Sequence, residues 1–99
     1  MVAIPLPTES ISRICRQFHV REMALFGSVL RQDFRPDSDI DILVTFDPQA
    51  RIDLFDLAQL KESLEELFGR PVDLVEKAAV RNPFRKKQIF GQLEVIYAA

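Results

Sequence analysis

The sequence predicts an α/β or α+β domain, a small mixed sheet covered by helices. Two observations carry that expectation. Apolar runs of strand length alternate with segments of helical period. The chain has 99 residues, 47% of them hydrophobic, which is enough for one core and too little for two. One domain over residues 1–99 is the expectation.

The elements follow in order. Pro5 and Pro7 punctuate the entry. From Thr8 the apolar residues Ile11, Ile14, Cys15 and Phe18 recur at helical spacing, with Thr8 or Ser10 as the expected cap. Met23 to Phe26 reads as a short buried strand, broken by Gly27-Ser28. A short helix is expected over Ser28 to Gln32, and Phe34 to Ser38 reads as a loop around Pro36. Ile40 to Phe46 alternates with period two. Ile40, Ile42, Val44 and Phe46 face one side, and Asp39, Asp41, Leu43 and Thr45 the other. Asp47-Pro48 ends that strand. Asp53 to Phe68 is an amphipathic helix with Leu54, Leu57, Leu60, Leu64, Leu67 and Phe68 along one stripe. Gly69 suits a left-handed helix end and Pro71 blocks continuation. Val72 to Val75 reads as a third strand, carrying Asp73. Asn82-Pro83 opens a helix that runs to about Phe90 and closes at Gly91, and Leu93 to Tyr97 reads as a last strand.

Composition narrows the function classes. Thirteen Lys and Arg against fifteen Asp and Glu give a net charge of −2, which exerts no global pull on nucleic acid or an anionic membrane. Cys15 is the single cysteine, so an intrachain disulfide is impossible and a reducing compartment fits. No apolar run approaches the roughly 18 residues of a membrane-spanning helix, and the first residues lack the pattern of a signal peptide. A cytoplasmic protein is the expectation.

The chemistry lies between Leu25 and Phe46, "LFGSVLRQDFRPDSDIDILVTF". Asp39 and Asp41 are two apart on a strand, so both side chains leave one face. Carboxylates at the mouth of an apolar strand repel one another unless a cation lies between them. Mg²⁺ suits such oxygens, binding one or two carboxylates and leaving positions for substrate phosphates. Asp73, second on another strand, can project from the same face. Three convergent carboxylates suit a two-metal phosphoryl displacement. Gly27 and Ser28 supply a turn open to an anion, and Arg31 can reach the same phosphates. Each piece also has a plain structural reading: Gly-Ser as a turn, Asp-x-Asp as a solvated strand edge, Asp73 as a surface charge. Their joint spacing favours the site. A calcium loop with Asp37, Asp39 and Asp41 at its first three ligand positions fails, because Ile42 and Pro48 stand where Gly and Glu are required.

Gly27-Ser28, a spacer of about ten residues, Asp39-x-Asp41 and the later Asp73 in "RPVDLV" resemble the minimal nucleotidyltransferases (MNT) of the DNA polymerase beta superfamily. The resemblance covers Leu25 to Glu76. It implies a polymerase-beta-like nucleotidyltransferase fold and an enzyme that uses a nucleoside triphosphate, usually ATP, with Mg²⁺. Gly27 and Ser28 would hold the β- and γ-phosphates, with Arg31 and Ser38 completing the nucleotide-binding set. Asp39 and Asp41 would ligate both metals, and Asp73 would complete one site and help activate the attacking hydroxyl. Small members of the group are similar to antitoxins that pair with a HEPN-domain ribonuclease toxin, and several transfer AMP onto a toxin tyrosine. One departure is Arg31-Gln32, where many members have Arg-Gly.

The remaining residues have plainer readings. Arg81, Arg85, Lys86 and Lys87 form a basic cluster, read as a solvated face or as a phosphate- or RNA-facing patch. His19 at the end of the first helix complements its dipole. Cys15 reads as a core residue. Tyr97 is a candidate acceptor for self-modification. Three functions compete: an AMP transferase acting on a partner toxin as its antitoxin; a non-catalytic antitoxin that binds its toxin through exposed Phe84, Phe90 and Ile96; and a transferase for a small molecule or RNA end working with a second chain. The first is favoured, because 99 residues leave little chain for an RNA- or drug-binding domain and unused paired carboxylates cost stability.

Overall fold

The computed structural model describes residues 2, 4–31 and 34–99. Helix α1 (Thr8–Gln17) leads into strand β1 (Val20–Phe26) and a 3₁₀ turn (Gly27–Leu30). Strand β2 (Ile40–Phe46), helix α2 (Leu54–Phe68) and strand β3 (Val72–Glu76) follow, then a second 3₁₀ turn (Lys77–Ala79), helix α3 (Pro83–Phe90) and strand β4 (Glu94–Ala98). The sheet order is β3-β2-β1-β4. β1 runs antiparallel to β2 and β4, and β2 and β3 are parallel, joined through α2. The expected mixed sheet covered by helices is borne out.

Side-chain alternation assigns the two faces of the sheet. Met23 and Leu25 of β1, Ile40, Ile42 and Val44 of β2, and Val72 of β3 pack with Ile11, Ile14 and Cys15 of α1 and Leu60 and Leu64 of α2. This is the main core, and Phe46, Leu74, Ile96 and Tyr97 pack against it. The opposite face carries a smaller cluster of Phe26, Leu43, Val80 and Ile89, with Val75 and Leu93 beside it. Ile89 comes from α3, so α3 lies over the second face.

The helix ends show which local signals act. At α2, Asp53 accepts from Asp56 N–H at 2.8 Å and Asp56 accepts from Asp53 N–H at 3.1 Å, a reciprocal capping box. Gly69 closes α2 at φ 69°, as its position predicts. At α3, Asn82 Oδ1 accepts from Phe84 N–H at 2.9 Å and Arg85 N–H at 3.3 Å.

Several expectations are corrected. Neither Thr8 nor Ser10 caps α1: Pro7 is the N-cap residue and no side chain accepts a bond there, because the helix already begins at Thr8. His19 lies beyond the end of α1 at φ 58°, in the left-handed turn that redirects the chain into β1. β1 starts three residues earlier than its apolar run, since Val20 and Glu22 pair with β2 around an irregularity at Arg21. Leu54 does not join the buried stripe of α2. It is 83% exposed, because it sits in the first turn, beyond the edge of the main core. Ile96 is half-buried against that core, not an exposed contact residue.

Candidate active site

The sequence positions of the carboxylates become one row of the sheet. β1 and β2 pair Phe26 with Asp41, and β2 and β3 pair Asp41 with Asp73. Partners across adjacent strands share a face, about 5 Å apart. Asp41 and Asp73 are therefore neighbours on the α3 side, the side of Leu43 and Val75. Asp39 lies two residues before Asp41, just ahead of β2, and acts electrostatically on it. The row sits where β1 ends and where β2 and β3 begin.

The loop before β2 is fixed from both sides. Arg70 donates to the Arg35 carbonyl at 3.1 Å, and its guanidinium lies 4.6 Å from the Phe34 ring centre. Ser38 Oγ accepts from Arg35 N–H at 3.0 Å, and Ser38 N–H donates to the Arg35 carbonyl at 3.0 Å. The Ser38 hydroxyl thus closes the loop, and its own proton remains a donor. Ile40 N–H then donates to the Pro71 carbonyl at 2.9 Å, which sets β3 in register with β2. On the outer edge of β3, Glu65 of α2 accepts from Val72 N–H at 3.0 Å.

Gly27 has a role that its place in the sequence does not reveal. Its φ is 75°, the left-handed region that favours glycine. A Cβ built there would fall on Asp41 Oδ2 and lie 3.0 Å from Asp41 Cγ. The missing side chain is therefore the space that the Asp41 carboxylate occupies. The turn itself departs from expectation. It is a four-residue 3₁₀ turn from Gly27 to Leu30, not a helix from Ser28 to Gln32. Arg31 has already returned to extended backbone at φ −113° and ψ 163°, its N–H donating to the Ser28 carbonyl at 2.9 Å. Gln32 lies outside the described residues.

Electrostatics single out Asp41. Burial pushes its carboxyl above the usual 3.8, and the charges of Asp73 and Asp39 push it further. The guanidiniums of Arg31 and Arg85 oppose the rise without cancelling it. In the sequence Arg85 is only one member of a basic cluster. The available signal is its spacing: it lies four residues before Ile89, the buried residue of α3.

The donor set fits a hard divalent cation. Asp41 and Asp73 share one face as register partners, and the charges of Asp73 and Asp39 both act unfavourably on the half-buried Asp41. Among the described residues no group of three or more His, Cys, Asp or Glu side chains closes into a ligand shell. Mg²⁺ does not require such a shell, since it is commonly bound through one or two carboxylates plus substrate phosphates.

Other candidates fall away from the site. Tyr97 packs on the main core, on the opposite side of the sheet from Asp41 and Asp73, so it cannot reach the carboxylates of its own chain. Cys15 is fully buried, and burial pushes its thiol up to about 12, which removes it as a nucleophile. Among the described residues, no helix is long and apolar enough to cross a membrane.

A mixed sheet that sets Asp41 beside Asp73, next to a glycine turn, is the frame of a nucleotidyl-transferring enzyme. Residues 8–96 match the nucleotidyltransferase domain family, and the chain belongs to it. Its substrate class is accordingly a nucleotide. The protein adenylyltransferase MntA of Thermococcus cleftensis is 40% identical over 81 residues, which cover 82% of this chain and 77% of that protein. A solved structure assigned as a minimal nucleotidyltransferase is 34% identical with a TM-score of 0.70, covering 87% of this chain and 85% of that one. A chain from the Shewanella oneidensis complex of a tri-AMPylated HEPN toxin with MNT antitoxin is 22% identical with a TM-score of 0.67. It covers 93% of this chain and 70% of that one, and the likeness is one of fold. The polymerase-beta-like fold expected from the motif is borne out.

Proposed function

We propose that the protein transfers AMP from ATP to a hydroxyl, a tyrosine side chain, of a partner HEPN toxin, and that it serves as that toxin's antitoxin. The observation that carries this reading is the row Asp41–Asp73, with Gly27 packed against Asp41. The name of the Thermococcus relative and the fold of the Shewanella complex support the choice of acceptor.

The roles follow from position. In this reading the turn at Gly27 and Ser28 holds the phosphates through its first-turn N–H groups, which a 3₁₀ turn leaves without a partner inside itself. Arg31 and the Ser38 hydroxyl complete the nucleotide contacts. Asp39, Asp41 and Asp73 would hold Mg²⁺, and when bound it supplies charge neutralisation on the phosphates and acidifies the acceptor hydroxyl. Asp73 is exposed at the sheet edge. In this reading its carboxylate accepts the acceptor's proton as the new phosphoester bond forms. An edge strand leaves that side open to a protein acceptor. The Asp41 carboxyl must be ionised to bind the cation, so a proton and the cation compete for it as pH falls.

The test is co-expression with the neighbouring gene product, followed by intact-mass analysis of that partner. A gain of one or more AMP units that disappears in the Asp39→Asn/Asp41→Asn variant is the expected result. A partner modified equally by wild type and variant would end the proposal, as would a tight complex with no gain in mass.

A further inference from the structure

We propose that Arg85 is a catalytic residue of this site, contacting the β- and γ-phosphates from the α3 side while the Gly27–Ser28 turn holds them from the sheet side. The inference rests on the nucleotidyl-transfer reading and deepens it.

The geometry begins with Ile89. It is 2% exposed and packs with Phe26 and Leu43. Phe26 is in the carboxylate row itself, paired with Asp41, and Leu43 is two residues along β2 on the same face. Arg85 is one helical turn before Ile89, so it shares the sheet-facing side of α3. Long helical side chains lean toward the N-terminus, which carries the guanidinium further from Ile89 in that direction. The first turn of α3 is fixed as well, since Asn82 Oδ1 accepts from the backbone N–H of both Phe84 and Arg85. Among the described residues of the basic cluster, Arg85 is the one whose charge acts on Asp41. Its own side chain is exposed, so it remains accessible to a ligand.

A guanidinium in that place has a specific use. In the transfer, the acceptor oxygen bonds to the α-phosphorus, and its proton passes to Asp73 and then to water. The bond from the α-phosphorus to the bridging oxygen of the β-phosphate breaks, and its electron pair leaves on pyrophosphate. Negative charge therefore grows on the phosphates that leave. A planar guanidinium offers paired donors to those oxygens, and its interaction strengthens as the charge develops. The exposed ammonium groups of Lys86 and Lys87 come one and two residues later on the helix and turn away from that side.

Displacement of a fluorescent ATP analogue by ATP, AMP and pyrophosphate, in Mg²⁺ buffer, tests the inference. Arg85→Gln is expected to weaken ATP and pyrophosphate about tenfold or more, the effect of one charge-assisted contact, while AMP stays within about twofold. Arg85→Lys should fall between, Lys86→Gln should match wild type, and all melting temperatures should agree. Equal ATP binding by wild type and Arg85→Gln overturns the role of Arg85. A parallel loss of ATP and AMP also overturns it, because it marks a general disturbance of the site. Wild-type protein that binds neither ATP nor pyrophosphate overturns the nucleotidyl-transfer reading itself, and this inference with it.

Discussion

Replacing Gly27 by alanine separates two demands that the turn makes on one residue. The first is conformational. At φ 75° an alanine pays about 1 kcal/mol for the left-handed region. The second is steric. The new Cβ falls on Asp41 Oδ2 and lies 3.0 Å from Cγ, so the carboxylate must rotate off its position. Oδ2 is the far end of a side chain, so the fold escapes by moving it, at about 1 kcal/mol for a displaced rotamer. Gly69 is the internal control. It has φ 69°, and a Cβ there meets nothing within 4 Å. Gly69→Ala should therefore lose about 1 kcal/mol in urea denaturation, and Gly27→Ala about 2 kcal/mol. Combining Gly27→Ala with Asp41→Ala should recover about 1 kcal/mol as a coupling energy. The nearest remaining atom is then Asp41 Cβ at 3.4 Å, an ordinary contact. Activity should respond more than stability. A carboxylate moved by about 1 Å costs on the order of a hundredfold, read as AMP transferred to the partner per unit time. Gly27→Ala protein that is no less stable than Gly69→Ala and transfers AMP at nearly the wild-type rate would refute the reasoning.

Three further outcomes follow from the same geometry. Asp41 has its folded pKa raised above 3.8, so the fold favours its neutral form. That contribution is present below the unfolded value and is lost as pH rises through the folded one. Asp41→Asn should therefore raise stability at neutral pH in metal-free buffer, and the gain should shrink on acidification. Thermal melts across pH check it, and an advantage that grows toward acid would contradict the sign. Leu64→Ala should cost about 2 to 5 kcal/mol because the side chain is fully buried, whereas Leu54→Ala should change stability by less than about 0.5 kcal/mol. Denaturation curves decide it. Asn82→Ala should cost about 1 kcal/mol through the lost cap and should also weaken ATP binding, since the same bonds hold the turn that carries Arg85.

How far the sequence reveals the site depends on whether a residue's role is set by local spacing or by what crosses over it. The period of β2 by itself assigns Asp41 and Leu43 to one face, and the pairing bears that out. The helix ends at Asn82 and Gly69 are equally legible, because a cap and a left-handed residue are decided within a few positions. The start of α1 is not, because Thr8 and Ser10 are good caps in the abstract, whereas the helix starts a residue earlier than a Thr8 cap requires. Leu54 misleads because helical period says which side a residue faces but not where the core ends along the axis. Gly27 and Arg85 are beyond reach for a further reason. That Gly27 leaves room for Asp41 depends on the register between β1 and β2, and which cation of 81–87 reaches the carboxylates depends on where α3 settles on the sheet. Both are long-range facts, and both converge on Asp41. One half-buried carboxylate is walled by a glycine with no room for a side chain, repelled by two aspartates and attracted by two guanidiniums. That concentration of constraints is hard to account for as a solvated strand edge, where an aspartate costs little and needs no neighbours. It fits a carboxylate that must be held at a fixed position for a cation and a phosphate to arrive together.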